Sequence, residues 1–307
     1  MKKTCLLVFN PFSGATNLSS KEIKSIANSK FPAYKIDFFE TTGDNDVEKI
    51  LVKFKTLSPE LVIIGGGDGT VKLVAKSLID QQSVLGILPL GSANGLAKCL
   101  GINSLEEAWE VISEFRVSEI DGVDLNGELC LHLADFGINA NLISKFEQDE
   151  GRGMLGYVKH SLSEIFGSVT KKFTLKTANE SIELEAKMIV VANGDRYGTG
   201  ALINCNGKMD DGLFEVIALN PQTAEDYIRI TVEFFKGGLS EDECVKSWSL
   251  STCEIINLEH AQFQIDGELV GKPNSLNAKI ISQKFKFLTG EDFASCRTST
   301  TTKAHLN

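Results

Sequence analysis

The chain reads as two domains of different class: an α/β N-terminal domain with a mostly parallel sheet, then a mainly antiparallel β-sandwich second domain. Three observations predict this. Up to about residue 120, short apolar runs alternate with amphipathic segments, the pattern of a parallel sheet covered by helices. Beyond Ile120 the helical period gives way to closely spaced strand patterns broken by turn residues, as in an antiparallel sandwich. With 307 residues and 42% hydrophobic content, the chain is long enough for two domains and a sizeable core.

In the first domain, strands are predicted at residues 4–9, 34–39, 61–64 and 84–88. Helices fall between them at 20–28, aligning Ile23, Ile26 and Ala27, and at 46–55, aligning Val47, Ile50, Leu51 and Phe54. A further helix follows the glycine-rich turn at 65–70 and carries Val71, Val74, Ala75, Leu78 and Ile79 on one face. Another opens at Ser104, where Glu107 predicts a capping box, and buries Leu105, Ala108, Trp109 and Ile112. Beyond Ile120, strands are predicted at 128–134, 183–192, 214–219, 249–258, 262–265, 278–281 and 284–288, with helices at 155–166 and 223–235. The segment 284–294 is assigned back to the first domain, so the boundaries are 1–122 with 284–294, and 123–283. The Thr/Ser-rich stretch 295–307 is expected to be a disordered tail.

Composition narrows the function. A formal net charge of −10 argues against duplex nucleic acid as a partner, because phosphate binding needs clustered Lys and Arg. Seven scattered cysteines without a CxxC pair are expected to be reduced, buried thiols in a cytoplasmic protein. The four histidines (His132, His160, His260, His305) show no metal-ligand spacing. Lys2-Lys3 and the apolar run 5–9 are too short for a signal peptide, and no apolar run approaches the roughly 20 residues that span a bilayer. The expectation is a cytoplasmic protein, soluble or peripheral at the inner face of the membrane. A homodimer is among the arrangements the sequence allows.

The chemistry concentrates in turns. Ile63-Ile64-Gly65-Gly66-Gly67-Asp68-Gly69-Thr70 joins a strand to a helix through four glycines in five residues. Glycines let main chain approach a ligand closely, and a helix N-terminus offers N–H groups to phosphate. Asp68 suits a phosphate only with a cation between them, which points to nucleotide phosphates held with a divalent metal. Two more turns end neighbouring strands, Asn10-Pro11-Phe12-Ser13-Gly14 and Leu88-Pro89-Leu90-Gly91-Ser92-Ala93-Asn94-Gly95. Three such turns at the carboxyl ends of one parallel sheet form a single binding rim. Far downstream, Gln264-Ile265-Asp266-Gly267-Glu268 is either a type I′ hairpin turn or a pair of carboxylates at a strand end, one able to take a substrate proton. Asp210-Asp211-Gly212 is a turn or a cation site, since carboxylate and carbonyl oxygens suit Mg²⁺.

In their order and spacing over residues 3–292, NPFSG at 10–14, GGGDGT at 65–70, LPLGSANGLA at 88–97, DDGLFEV at 210–216 and QIDGE at 264–268 resemble the diacylglycerol kinase catalytic-domain family. That family includes bacterial soluble lipid kinases, and sphingosine and ceramide kinases share its core. The resemblance implies ATP- and Mg²⁺-dependent phosphoryl transfer to a lipid alcohol in an interdomain cleft. By the same resemblance Asn10, Pro11, Ser13, Gly14, Thr41, Gly66, Gly67, Asp68, Gly69, Thr70 and Ser92 line the nucleotide. Asp266 and Glu268 carry the base role between them, and Asp68 joins the metal network with Asp121 behind it. A structural Mg²⁺ falls on the Asp211 side chain with main-chain oxygens of Lys208 and Leu213.

The family usually has Thr at Ser92, Asp at Gly95, and Asn-Glu at Lys72-Leu73. Two alternatives therefore stand beside the lipid kinase. One is an NAD-kinase-like enzyme with a soluble acceptor, which shares GGDGT. The other is a catalytically weak nucleotide- or lipid-binding protein. Membrane contact is expected to be peripheral, through the segment 151–157 of the second domain.

Overall fold

In the computed structural model, residues 2–14, 18–137, 169–197, 201–204, 207–236, 239, 242–291 and 293 are described. The helix expected at 155–166, the segment 151–157 and the tail 295–307 lie outside the described residues. The chain divides into two units, Met1–Ile120 with Gln283–Asn307, and Asp121–Ser282.

Unit 1 follows the strand–helix alternation: β1 (Lys3–Phe9), α1 (Ser20–Lys30), β2 (Tyr34–Glu40), α2 (Asp46–Leu57), β3 (Leu61–Gly66), α3 (Asp68–Ser77), β4 (Val84–Pro89), α4 (Gly95–Cys99), α5 (Leu105–Glu114) and β5 (Val117–Ile120). From the far end of the chain, β20 (Phe285–Leu288) enters between β4 and β5, giving the order β2-β1-β3-β4-β20-β5. Every pair is parallel except β20 with β5. All six residues of β3 are buried, because helices cover both faces of a parallel sheet. β2 and β3 lie on opposite sides of β1. The order therefore reverses between β1 and β3, which opens a crevice at their carboxyl ends.

The caps differ in detail from the sequence reading. At α5, Ser104 Oγ accepts the Glu107 N–H at 3.1 Å, but Glu107 Oε2 accepts from Asn103 N–H at 2.9 Å instead of from Ser104. A reciprocal capping box forms at α1, where Ser19 Oγ accepts from Glu22 N–H and Glu22 Oε2 from Ser19 N–H.

Unit 2 contains β6 (Val123–Leu125), β7 (Glu128–Cys130), β8 (Leu133–Phe136), β9 (Lys171–Lys176), β10 (Ser181–Ala186), β11 (Met188–Ala192), the short pair β12 (Arg196–Tyr197) and β13 (Ala201–Leu202), β14 (Phe214–Leu219), α6 (Ala224–Lys236), β15 (Val245–Leu250), β16 (Thr252–Asn257), β17 (Phe263–Ile265), β18 (Glu268–Gly271) and β19 (Ser275–Ile280). Two six-stranded antiparallel sheets result, β10-β9-β16-β19-β6-β7 and β15-β14-β11-β8-β17-β18. Side chains from both meet in one core, where the Phe136 ring lies 4.6 Å from Phe263 and 5.6 Å from Phe173. The second sheet packs its other face on Tyr227, Ile230 and Phe234 of α6.

That two-sided burial explains three corrections. The strand expected at 183–192 breaks at Lys187, with β10 in the first sheet and β11 in the second. The strand expected at 249–258 breaks at Ser251 in the same way, between β15 and β16. The strand expected at 128–134 likewise divides, into β7 and β8. An apolar run records burial but not a crossing from one sheet to its neighbour. Among the described cysteines, Cys5, Cys99, Cys130 and Cys253 are buried free thiols.

Candidate active site

Asn10 closes β1 at the reversal point. Its main-chain N–H donates to Gly65 O at 2.9 Å and its Nδ2 to Thr70 Oγ1 at 3.1 Å, stitching the first turn to the second. Asn10 Oδ1 accepts from Phe12 N–H at 3.0 Å and Asn10 O from Ser13 N–H at 3.2 Å, curling the loop back over the strand end. Ser13 is half-buried, while Pro11 and Gly14 are exposed. Thr41, buried just past β2, donates its N–H to Phe9 O at 2.9 Å. Asn10, Thr41 and the stretch from Gly66 to Thr70 thus gather at one end of the sheet.

Much of the glycine content answers to the protein itself. A Cβ on Gly91 would sit 2.4 Å from Gly67 Cα, and one on Gly66 would sit 2.5 Å from Thr70 Cβ and Oγ1. The second and third turns pack main chain on main chain, which side chains would prevent. Internal packing is thus a reason for glycine at these positions that the motif reading did not include. What they leave facing outward is the start of α3, where Asp68 and Gly69 lead the first turn and helix N–H groups lack intrahelical partners. Ser92 is exposed in the third turn.

Asp68 is half-buried. Its Oδ2 accepts from Gly95 N–H at 2.9 Å and its Oδ1 from Leu96 N–H at 3.0 Å, so it caps α4 from another part of the chain. Asn94, which the sequence reading passed over, takes φ of 52°. Its Oδ1 accepts from Gly91 N–H at 2.8 Å and its Nδ2 donates to Gly91 O at 2.6 Å. The signal was present in the Asn-Gly pair, since Asn tolerates this left-handed backbone and bonds its own turn.

The downstream carboxylates occupy a two-residue hairpin loop between β17 and β18. Asp266 and Gly267 have φ of 50° and 84°, as a type I′ turn requires. The hairpin reading therefore describes the backbone. Asp266 is in addition fastened to β8: its N–H donates to Leu133 O at 2.9 Å, and its Oδ1 accepts from Leu133 N–H at 3.2 Å and from the Cys130 thiol at 3.9 Å. Glu268 is exposed at the start of β18. The two carboxylates thus differ in exposure, Asp266 half-buried and Glu268 exposed.

Asp121 is 1% exposed, and its Oδ2 accepts from Gly212 N–H at 2.8 Å. Its own N–H donates to Met209 O at 2.6 Å, so it braces the 209–212 turn in unit 2. Asp211 is exposed, with Oδ1 accepting from Leu213 N–H at 3.0 Å; Lys208 is exposed and Leu213 half-buried beside it. Nearby Glu215 is pushed above the usual carboxylate range, chiefly by burial, against hydrogen bonds from Asn204 Nδ2 and Ser249 Oγ. Among the described residues no group of three or more His, Cys, Asp or Glu side chains could hold a metal. The Asp211 carboxylate and the main-chain oxygens beside it are hard oxygen donors of the kind Mg²⁺ takes.

Residues 4–125 match the model described as diacylglycerol kinase catalytic domain, and residues 134–287 the YegS C-terminal NAD kinase beta sandwich-like domain. The chain belongs to the diacylglycerol kinase catalytic-domain family. It is 26% identical over 242 residues to the "Probable lipid kinase YegS" of Escherichia coli O6:K15:H31, covering 76% of this chain and 80% of the relative. The crystal structure of a diacylglycerol kinase from Bacillus anthracis str. Sterne aligns with a TM-score of 0.72 at 22% identity, covering 95% of this chain and 98% of that one. An NAD kinase from Archaeoglobus fulgidus in complex with ATP shares the fold at a TM-score of 0.52 and 14% identity, covering 96% and 99%. Its kinase family makes ATP the expected phosphoryl donor for this chain.

Proposed function

We propose that this family member is an ATP- and Mg²⁺-dependent lipid kinase that transfers the γ-phosphate to the hydroxyl of a lipid alcohol, reached from the membrane surface as a peripheral protein. The observation that carries the reading is the stitching of the Asn10 loop to the GGGDGT turn at the strand-order reversal. The phosphates would lie over the N–H groups at the start of α3, with Asn10, Ser13, Gly14, Thr41 and Ser92 around the nucleotide. Phosphoryl transfer is mostly positioning and charge neutralisation, so a rigid rim of this kind suffices. Bound Mg²⁺ would neutralise charge on the phosphoryl oxygens, with Asp68 in its network and Asp121 behind it, and a separate structural Mg²⁺ would take the Asp211 side chain with main-chain oxygens of Lys208 and Leu213. Each Asp68 oxygen keeps a second lone pair beyond the one that caps α4.

An acceptor hydroxyl must lose its proton as it attacks, and a positioned carboxylate is the simplest base. Asp266 is preferred over Glu268 because its Oδ1 is held by Leu133 N–H, which fixes the direction of the other oxygen. The full chain, with labelled ATP, Mg²⁺ and vesicles carrying diacylglycerol or sphingosine, and with NAD as a separate acceptor, should place label in lipid. Label in NAD alone would establish the soluble-acceptor reading instead, and no label would establish a binding protein. Asp266→Asn should lower kcat by about 10²–10⁴-fold with the KM for ATP unchanged. Glu268→Gln should stay within a few-fold of wild type; full activity in Asp266→Asn would move the base elsewhere.

A further inference from the structure

We infer that Asn193 is a positioning residue for Asp266: its amide clamps the segment that holds the Asp266 carboxylate to the main chain of the buried Asp121. The inference rests on the reading of Asp266 as the base.

Asn193 directly follows β11 and is 1% exposed. Both hydrogens of its amide are committed, with Nδ2 donating to Leu131 O at 2.8 Å and to Asp121 O at 2.9 Å. The amide cannot be turned round, because its oxygen would then face two carbonyl oxygens that have no proton to give. Its Oδ1 is buried and meets no donor among the described residues, a state that costs stability. A buried amide kept at that cost points to the value of what its Nδ2 holds. The main chain adds to the grip, since Asn193 N–H and Gly194 N–H both donate to His132 O, at 3.0 and 2.8 Å. His132 Nε2 in turn donates to Arg196 O at 2.6 Å, closing the 193–196 turn on the same segment.

Asp266 is fastened to the other side of that segment. β8 lies between β11 and β17 in its sheet. Leu133 O accepts Asp266 N–H, and Leu133 N–H donates to Asp266 Oδ1. Leu131, His132 and Leu133 are each at most 5% exposed, so water does not stand in for these bonds. Asp121, whose O Asn193 holds, accepts Gly212 N–H on its Oδ2. A contiguous chain of bonds thus runs from the 209–212 turn through the Asn193 amide to the Asp266 carboxylate, the physical form that coupling between sites takes. A base displaced by about 1 Å loses much of its effect.

Hydrogen exchange of the full chain, without substrate, reads the clamp directly. In Asn193→Ala the N–H groups of Leu133 and Asp266 should exchange about tenfold faster, while those of β10 in the other sheet keep their wild-type rates. Asp266→Gly suits the φ of 50° at that turn and should speed exchange at Asn193 N–H from the opposite end, because coupling is reciprocal. That second variant decides the matter if Asn193→Ala does not fold. In the kinase assay Asn193→Ala should lower kcat by about 10²-fold and leave the KM for ATP unchanged. In an Asp266→Asn background the same substitution should lower kcat no further, since a residue that acts through Asp266 has nothing left to position. Wild-type exchange at Leu133 and Asp266, acceleration spread evenly over unit 2, or kcat losses that multiply in the double variant would each overturn the inference. A chain that labels no lipid removes the base reading instead, and exchange alone then decides whether Asn193 holds Asp266.

Discussion

Asp68 joins two jobs that the residue type alone does not separate. Its carboxylate accepts the N–H groups of Gly95 and Leu96, which holds the third turn against the second. Hydrogen bonds to a charged acceptor are the stronger kind, and leaving two helix N–H groups without one costs about 1–3 kcal/mol, less where solvent reaches them. Asp68→Ala should therefore lower stability by roughly that amount, measured by urea denaturation, and abolish ATP-dependent turnover. Asp68→Asn keeps one carbonyl acceptor and should recover part of the stability without the activity. A variant with wild-type kcat and the same Mg²⁺ requirement would reduce Asp68 to a latch. Cys130 and Leu133 play a comparable supporting part for Asp266, whose Oδ1 they hold.

Among the elements, α6 shows how a helix terminus writes a pH dependence. Asp226 Oδ2 accepts from Thr223 N–H at 2.8 Å and Gln222 N–H at 3.0 Å, while Thr223 Oγ1 accepts from Asp226 N–H at 3.2 Å. Those bonds, Thr223 foremost, lower the Asp226 carboxyl from 3.8 to about 2. A carboxyl lowered on folding contributes stability that is present above its unfolded value and lost as pH falls through its folded one. The stability difference between wild type and Asp226→Asn should accordingly be full at neutral pH. It should narrow as pH drops from 3.8 toward about 2. Thermal melts of the pair across acid pH check it, and a difference that does not change with pH would deny the carboxylate this role.

At the scale of the molecule, unit 1 depends on residues far from it in sequence. β20 lies between β4 and β5, with Phe287 and Leu288 fully buried. Gly290 N–H donates to Leu100 O at 2.8 Å and Thr289 N–H to Arg116 O at 3.0 Å. A chain ending at Ser282 should lose the folded unit 1 altogether. Phe287→Ala should cost about 3–5 kcal/mol, the usual range for a large core aromatic. Trp109, buried in α5, reports the loss by fluorescence in a Trp248→Phe background. Retention of the native Trp109 signal by the truncated chain would show that β20 is dispensable.

The sequence by itself determined the class of each unit and the places where chemistry gathers. Apolar runs, helical period and turn residues are local, and GGGDGT, NPFSG and the Asp266 turn are contiguous strings, so single-chain patterns suffice to find them. They carried most of β1 to β4, the sandwich character of unit 2 and the family. What only the tertiary structure decided is long-range. Such features are the break of an apolar run at Lys187 between two sheets, the entry of β20 beside β4, and the contact of Gly67 with Gly91. The two bonds from Asp68 to a helix 27 and 28 residues away are of the same kind. Each depends on which segments become neighbours after folding, and local propensity contains no term for that.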